Sequence, residues 1–394
     1  MGKITQFISI GVLLASVLFP FFGAVAAGKV EVDGVFYQLK DDGNAEVTFR
    51  GDEEDGWMYF SAEDLYVGDV VIPDTVRYGG ASYCVTALGD DAFAGSKAMR
   101  SLSLPASVVS VGNGLFSLCN GLSSIQVDDN NPVFSSRDGI LYWRSPFSIC
   151  FVPKAIAGDL VLPDGLTEVP SSAFQNCVNL STVTLSDEVV SIADGAFSGC
   201  SGLQEIFMGE KIADIGVQAF SKCPNLVIVS IPSSVKRIQA SAFVDCPNLA
   251  YVILHEGLEE IGEMAFFNCG MLMGIELPST LREIGSQAFK GCEGLEVVKN
   301  ESGLNIVLGS TDYGYVAYYA TQIISSTSPA YCDLILDDSP SFFVSGNELV
   351  VTRAAGRTVS VYSLAGQLLY RRLCVDDRET FFVGLPRVVV TFGM

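Results

Sequence analysis

The side chains best suited to catalysis or metal binding in this 394-residue sequence are its 11 cysteines and its single histidine, His255. One imidazole cannot supply a two-histidine zinc site or a pair of histidines for acid–base catalysis. No two cysteines stand in the C-x-x-C spacing of common zinc motifs. His255 follows an apolar run at a position where other repeats hold proline, which is typical of an exposed loop. We therefore expect no catalytic residue, no metal site and no cofactor.

Seven of the cysteines share one phase of a regular spacing, each three residues after a phenylalanine. They are Cys119, Cys177, Cys200, Cys223, Cys246, Cys269 and Cys292. Ser96 holds the same position in the first repeat, so the position requires only a small side chain. Disulfides are common in secreted proteins. An odd number of thiols with parallel side-chain directions nevertheless favours buried free cysteines, and disulfides stay the alternative.

The charge balance excludes one class of partner. The chain carries 45 acidic and 23 basic residues, for a net charge of −22. Such a surface repels phosphate backbones, so we expect no nucleic-acid binding. Among 45 carboxylates some pairs arise by coincidence, so their spacing leaves open a polysaccharide-acting enzyme with two catalytic carboxylates, although no cluster stands out.

The N-terminus has the organisation of a secretory signal. Lys3 precedes an apolar run from Ile4 to Phe22, and Ala24-Val25-Ala26 has the small-x-small form of a cleavage site. The run is close to the ~20 residues of a membrane span, which makes an uncleaved anchor the alternative. We predict a cleaved signal peptide at residues 1–26, a secreted or cell-surface location, and no membrane insertion of the mature chain.

A strict internal repeat dominates the rest of the sequence. Its most regular members are phenylalanines, and all but one interval between them is 23 residues. They are Phe93, Phe116, Phe174, Phe197, Phe220, Phe243, Phe266 and Phe289. Apolar residues recur five before and six and nine after each phenylalanine, and eleven after most of them, giving the unit I-G-x-x-A-F-x-x-C-x-x-L-x-x-I-x-L-P.

A 23-residue unit cannot close a core alone, but stacked copies bury one continuous apolar column. The I-x-L step has the period of a strand, so stacked units build a parallel sheet on one face. The A-F-x-x-C-x-x-L step favours a short helical or 3₁₀ turn on the opposite face. The sequence thus predicts an α/β repeat fold, a right-handed solenoid of 23-residue coils.

The one long interval, from Phe116 to Phe174, is 58 residues and indicates an irregular coil at residues 128–165. Leu160-x-Leu162-Pro163 restores the strand signature within it, and Asp138-Gly139 before Ile140-Leu141-Tyr142-Trp143 is typical of a hairpin.

These motifs resemble the BspA-like class of bacterial surface leucine-rich repeat proteins. Residues 261–272, IGEMAFFNCGML, have the form of the class unit. The segments at 138–142 and 71–86 resemble elements common in that class, and the resemblance covers about residues 66 to 300. It implies a secreted or surface-displayed leucine-rich repeat solenoid that adheres to host matrix proteins or other cells.

The ends differ in composition from the repeats. We expect an N-terminal cap at 27–65, a solenoid with its own C-terminal cap at 66–336, and a small β-sandwich at 337–394. The acidic run at 52–55 lacks calcium-loop spacing and is interpreted as a solvated turn. The aromatic segment 313–320 is expected to pack over the last coil, with carbohydrate stacking as the alternative. Residues 359–367, VSVYSLAGQ, resemble a type IX secretion sorting domain, although Leu385-Pro386-Arg387-Val388 replaces the usual Gly-x-Tyr.

Outward-facing strand positions, eight and ten residues after each phenylalanine, should be polar on a solvated sheet. The middle coils instead carry Phe207, Ile228, Tyr251 and Ile253, flanked by Glu205. An exposed apolar patch of this kind marks a contact surface, unless a loop or the C-terminal domain covers it. We therefore predict a non-enzymatic adhesion module with a protein ligand and, less favoured, a glycan ligand. A structural surface-layer component is the further alternative.

Overall fold

The computed structural model describes residues 29–50 and 65–325, together with the backbone of six strands between residues 341 and 393. The predicted signal peptide and the acidic run at 52–55 lie outside the described residues. The chain divides into two compact units, Met1–Ile323 and Ile324–Met394. Within the described residues, no helix has the length and apolar character needed to cross a bilayer.

Nearly all regular elements in the described part of the first unit are strands, joined by turns. In chain order they are β1 Lys29–Val32, β2 Val35–Leu39, β3 Asn44–Val47, β4 Gly68–Val71, β5 Thr75–Tyr78, β6 Ala81–Leu88, β7 Met99–Leu104, β8 Ser110–Val111, β9 Ser124–Val127, β10 Phe134–Arg137, β11 Ile140–Arg144, β12 Phe147–Phe151, β13 Ala157–Val161, β14 Glu168–Val169, β15 Asn179–Thr184, β16 Ser191–Ile192, β17 Glu205–Phe207, β18 Asp214–Ile215, β19 Ile228–Ile231, β20 Arg237–Ile238, β21 Tyr251–Leu254, β22 Glu260–Ile261, β23 Gly274–Leu277, β24 Glu283–Ile284, β25 Val297–Asn300 and β26 Gln322–Ile324.

The predicted parallel solenoid is confirmed. Strands β13, β15, β17, β19, β21, β23, β25 and β26 follow one another in a sheet that we call the wide sheet. Its register advances by one coil per strand, because Leu160 lies opposite Val183 and Val183 opposite Ile206. Strands β4, β7 and β9 form a shorter parallel sheet for the earlier coils. The first apolar residue of each I-x-L step is buried, as the two-residue period of a strand requires.

A second parallel sheet lies where the sequence predicted none. The two-residue strands β14, β16, β18, β20, β22 and β24 pair in that order and form the narrow sheet. Each ends on the apolar residue five positions before a phenylalanine, as Ile215 pairs with Ile238 and Ile238 with Ile261. The repeat of this residue was visible in the sequence, but one inward side chain per coil is too short a pattern to predict a strand.

The expected helical turn around each phenylalanine is not formed, and with almost no helix the described solenoid is not clearly α/β. The segment forms tight turns, in which Ser198 N donates to Gly195 O at 3.0 Å and Cys200 N donates to Phe197 O at 3.2 Å. Gly195 and Gly199 have φ values of 62° and 74°. Left-handed residues on both sides of the phenylalanine prevent a continuous right-handed helix. Among the described residues the only helix is the 3₁₀ turn Tyr313–Tyr315.

The repeat phenylalanines stack in a single file through the core. From Phe174 to Phe289 neighbouring ring centroids are 4.9 to 5.3 Å apart, and the rings are inclined by 2° to 15°. Phe93 and Phe116 stack in the same way at 5.7 Å. These rings are buried, and offset stacking adds to the free energy gained by burying their area.

The irregular coil contains a hairpin and one further member of the phenylalanine file. Strands β10, β11 and β12 form an antiparallel sheet, and Arg137 pairs with Ile140 across the predicted Asp138-Gly139 turn. Phe151, at the end of β12, lies 35 residues after Phe116 and 23 before Phe174. Its ring centroid is 4.4 Å from that of Phe116. The sequence analysis missed Phe151 because Cys150 and Lys154 stand where the repeat unit has alanine and cysteine.

Asn131 fixes the hairpin to the solenoid. Its side-chain amide donates to Pro105 O at 2.9 Å and Val108 O at 2.7 Å. Its side-chain oxygen accepts from Val133 N at 2.9 Å and Phe134 N at 2.8 Å. All of these hydrogen bonds are buried or half-buried, so a polar side chain at this place is fully satisfied.

Within the described residues, further segments lie against both ends of the stack. Strands β1, β2 and β3 precede the first coil, and β3 pairs in parallel with β6. At the other end Gly314 O accepts from Phe289 N at 2.7 Å, which continues the turn ladder by one step. Val316 and Ala317 join the solenoid core, so the aromatic segment 313–320 packs over the last coil.

The second unit consists of β27 Ser341–Ser345, β28 Glu348–Thr352, β29 Thr358–Tyr362, β30 Leu368–Leu373, β31 Arg378–Phe382 and β32 Val389–Gly393. They form two three-stranded antiparallel sheets, in the orders β27-β28-β31 and β30-β29-β32. Two sheets of this kind agree with an all-β unit, and its role in sorting stays a prediction.

Phe220→Ala tests the energetic weight of the phenylalanine file. The ring of Phe220 stacks on Phe197 at 5.3 Å and on Phe243 at 5.1 Å. Removing it should lower the free energy of unfolding by about 3–5 kcal/mol in urea denaturation, because burial and two stacking partners are lost. Phe220→Leu, which refills part of the volume, should cost less. A loss below about 1 kcal/mol for Phe220→Ala would contradict a close-packed file.

Asn131→Ala tests the attachment of the hairpin. The change leaves two carbonyl oxygens and two amides without their partner, so we expect a loss of about 2–4 kcal/mol in thermal or urea unfolding. Asn130→Ala is the control, because Asn130 makes exposed hydrogen bonds only to Asp128. Equal losses for the two variants would show that Asn131 has no special role.

Candidate binding surface on the wide sheet

The wide sheet presents two outward columns of side chains, eight and ten residues after each phenylalanine. Register places Glu205 beside Ile228, and Ile228 beside Tyr251. Ile253 lies in the second column, beside Ser230. Phe207 is in that column too, opposite Thr184 on the other side. Ser230 stands one coil after Phe207, so Phe207 and Ile253 are separated within their column.

The predicted patch residues differ in their exposure. Tyr251 and Ile253 are 51% and 42% exposed, which is unusual for large apolar side chains on a solvated sheet. Ile228 and Phe207 are half-buried, and Glu205 is buried at 5%. Tyr251 and Ile253 are therefore the parts of the predicted set that are most accessible to a partner.

Three further exposed apolar side chains, missed by the sequence analysis, lie on the coils before and after that of Tyr251. Val227, Met271 and Met273 stand seven, five and seven residues after their phenylalanines. Ala250 joins two of these positions, because it donates to Val227 O at 2.9 Å and accepts from Met273 N at 3.4 Å. We call Tyr251, Ile253, Val227, Met271 and Met273 the Tyr251 patch. All five patch residues stand five, seven, eight or ten residues after a repeat phenylalanine.

Polar groups border the Tyr251 patch. Gly274 lies directly opposite Tyr251 in the next strand and presents no side chain against the ring. Beyond it, Lys299 Nζ is 2.6 Å from a carboxylate oxygen of Glu276. His255, which lies in the turn after β21 as predicted, is 3.2 Å from the Ser230 hydroxyl. An apolar centre with a polar rim is the usual anatomy of a protein contact surface.

A small cleft of about 280 Å³ lies over the narrow sheet, with charged walls. Its walls are Asp214, Lys236, Arg237, Glu259, Glu260, Arg282 and Glu283. Arg237 and Glu260 form an ion pair at 2.7 Å. Acidic and basic groups alternate here, so their fields largely cancel and the cleft favours neither sign of ligand.

Hydrogen bonds favour the charged form of two exposed carboxylates, Asp42 and Glu256. A general acid needs a raised pKa. The amide of Asn44 holds the pKa of Asp42 below its usual value. The Ser279 amide, and then its hydroxyl, do the same for Glu256. Over the described residues, no three His, Cys, Asp or Glu side chains converge as metal ligands.

The cysteine row consists of buried free thiols, as predicted. Each thiol donates to the carbonyl oxygen of a preceding turn, as in Cys200 Sγ to Phe174 O at 3.0 Å and Cys223 Sγ to Phe197 O at 3.2 Å. Burial raises the pKa of Cys119 to about 11 and that of Cys200 to about 12. Thiols that stay protonated are poor nucleophiles and poor metal ligands, so the row is structural.

The stacked 23-residue coils define a leucine-rich repeat solenoid. The family model for the BspA type leucine rich repeat region matches six copies, at residues 81–138 and 167–296. The interval between the two matched stretches coincides with the hairpin coil. Over these residues the repeat region is therefore similar to the BspA type, in agreement with the resemblance found in the sequence.

The chain is also similar to several solved structures at low identity. A leucine rich cell surface protein from Faecalibacterium prausnitzii is 22% identical over 79% of this chain and 98% of that one, with a TM-score of 0.37. A leucine-rich repeat protein from Eubacterium ventriosum is 24% identical over 57% and 64%, with a TM-score of 0.45. The pneumococcal vaccine antigen PcpA is 16% identical over 77% and 99%, with a TM-score of 0.40. No curated protein matches the sequence. At these values no function is transferred from the matched proteins.

The raised thiol pKa values predict a loss of stability in alkali. Unfolded thiols ionise near 9.0, whereas folded Cys119 and Cys200 hold their protons to about 11 and about 12. The stabilisation is complete below pH 9.0 and is lost as the pH rises through the folded pKa. Urea unfolding across this range should show the loss, and Cys200→Ala should reduce its slope because one titrating group is removed. An unchanged slope in Cys200→Ala would contradict the assignment.

Proposed function

We propose that the chain is a secreted or cell-surface binding module that adheres to host or neighbouring-cell proteins through the Tyr251 patch. The observation that carries the proposal is the exposure of Tyr251 and Ile253 on a sheet whose neighbouring coils carry Thr182, Thr184 and Ser230 at the same outward positions. Large accessible apolar side chains on a folded surface are costly unless a contact covers them.

The composition of the patch favours a protein partner over a glycan. Tyrosine is enriched among the residues that dominate protein interfaces, and methionine adapts to irregular partner surfaces. The net charge of −22 favours a partner with a basic rim. Secretion rests on the predicted signal peptide, and the C-terminal unit is proposed to act in sorting to the surface.

Tyr251→Ser combined with Ile253→Ser is the direct test. The mature chain is applied to an array of purified extracellular-matrix proteins and glycans, and binding is quantified by biolayer interferometry. We expect a protein to bind, and the double variant to weaken its Kd by at least about tenfold. Phe207 is left unchanged because it is half-buried. The thermal midpoint should stay nearly unchanged, since both substituted side chains are largely exposed.

The matched control is Val71→Ser combined with Val161→Ser. Both valines are exposed at outward strand positions, opposite Ser103 and Thr184. This variant should bind as the original chain does. Equal losses in the two variants, binding to glycans alone, or self-association without a foreign ligand would each contradict the proposal.

A further inference from the structure

The turn edges of the coils are joined by a backbone ladder. In a regular coil three amides, on the phenylalanine and on the residues two before and two after it, donate to carbonyl oxygens of the next coil. For the coil of Phe197 the bonds are Gly195 N to Val217 O at 2.9 Å, Phe197 N to Ala219 O at 2.7 Å, and Gly199 N to Ser221 O at 2.8 Å. The acceptors are every second residue of the next coil, so their carbonyl groups are spaced like those on one side of an extended strand.

Among the described coils with a repeat phenylalanine, one lacks all three of these bonds. Phe93 and every repeat phenylalanine from Phe174 to Phe289 donate to the following segment. In the coil of Phe116 the corresponding amides belong to Gly114, Phe116 and Leu118. Over residues 29–50 and 65–325, none of these three amides has a hydrogen-bond acceptor. Gly114 and Leu118 are exposed, so their amides are open to solvent or to a ligand.

The hairpin explains the gap. By the repeat spacing, the acceptors for this coil would be the carbonyls of residues 148, 150 and 152. Residues 148 and 150 lie in β12, which is an extended strand paired with β11. Phe151 keeps its ring on Phe116, so the core is continuous, while the backbone above it no longer forms a turn.

A cleft of about 500 Å³ fills the place of the missing turn. Gly114, Phe116 and Leu118 line one side, and Trp143, Phe151 and Lys154 are among the residues that line the other. The volume lies in the range of ligand pockets, and the aromatic walls with a few polar donors fit their usual character.

Leu118 is an independent anomaly at the mouth of the cleft. It is 66% exposed and has a φ of 60°. A left-handed conformation costs a leucine about 1–2 kcal/mol, whereas asparagine tolerates it. Asn176 and Asn268 hold the equivalent position in other coils with the same φ of 60°. Nothing within the described fold covers the Leu118 side chain.

We propose that this cleft binds an extended peptide segment of a partner protein. Alternate main-chain carbonyls of the peptide accept hydrogen bonds from the amides of Gly114, Phe116 and Leu118, as a following coil does elsewhere. An apolar peptide side chain lies between Leu118 and Trp143. The mode is strand addition to an open backbone edge. The cleft is separate from the Tyr251 patch and goes beyond the proposed adhesive function.

A peptide fits the cleft better than a free anion. The donors are three neutral amides at alternate residues, the spacing of carbonyls in a polypeptide, and Lys154 is the one cationic group among the residues lining it. The net charge of −22 opposes both an anionic ligand and a second copy of the same chain.

The test uses a phage library of random nine-residue peptides, selected on the mature chain. An enriched peptide is synthesised with a fluorescent label and titrated by anisotropy. Leu118→Asn should weaken its Kd by at least about tenfold, while the thermal midpoint rises because strain is removed. In amide NMR spectra, the resonances of Gly114, Phe116 and Leu118 should shift on binding, and those of Gly195, Phe197 and Gly199 should not.

The variant Tyr251→Ser with Ile253→Ser is the matched control. It should bind the selected peptide unchanged, so that failure of the patch and failure of the cleft are distinguished. Absence of any enriched peptide, a Kd unaltered by Leu118→Asn, or shifts confined to other amides would overturn the proposal. Self-association of the chain that Leu118→Asn abolishes would also overturn it, since the occupant would then be a second copy.

Discussion

The structure depends on one constraint, which is that every coil must satisfy the backbone of its neighbour. A 23-residue coil has too little apolar area to be stable alone, and its turn amides and strand carbonyls point along the axis of the stack. Phenylalanine stacking inside and the amide ladder outside meet this need with the same period. Gly195 and Gly199, with positive φ values on either side of Phe197, turn its backbone amides towards the next coil.

Because the interior is fixed by this constraint, variation between coils is confined to outward positions and to interruptions of the period. The first kind of variation places Tyr251 and Ile253 on the wide sheet. The second places a hairpin between Phe116 and Phe174, where the amide ladder lacks acceptors. The Tyr251 patch and the cleft beside Phe116 both lie where the chain departs from the regular repeat. Both are recognised by comparing these coils with the regular coils.

The sequence predicts the inward residues well, because burial imposes a strict spacing on them. Phe220, Cys223 and Val229 all lie in the core as their phase requires. It predicts the turns poorly, since a three-residue spacing suits a helix and a series of tight turns equally. Exposure is predicted only in part. Phe207 and Tyr251 both stand at outward strand positions, yet Phe207 is half-buried. The strand period predicts on which face of the sheet a side chain lies, but not which neighbouring side chains cover it there.

Residue-resolved amide hydrogen exchange on the unliganded chain tests the central claim most directly. If the coils are held together by the amide ladder, the amides of Phe197, Phe220 and Phe243 exchange only through cooperative unfolding and share one slow rate. The amide of Phe116, which has no acceptor among the described residues, exchanges much faster. A Phe116 amide as slow as the others, or separate rapid exchange at Phe197, Phe220 and Phe243, would contradict the account.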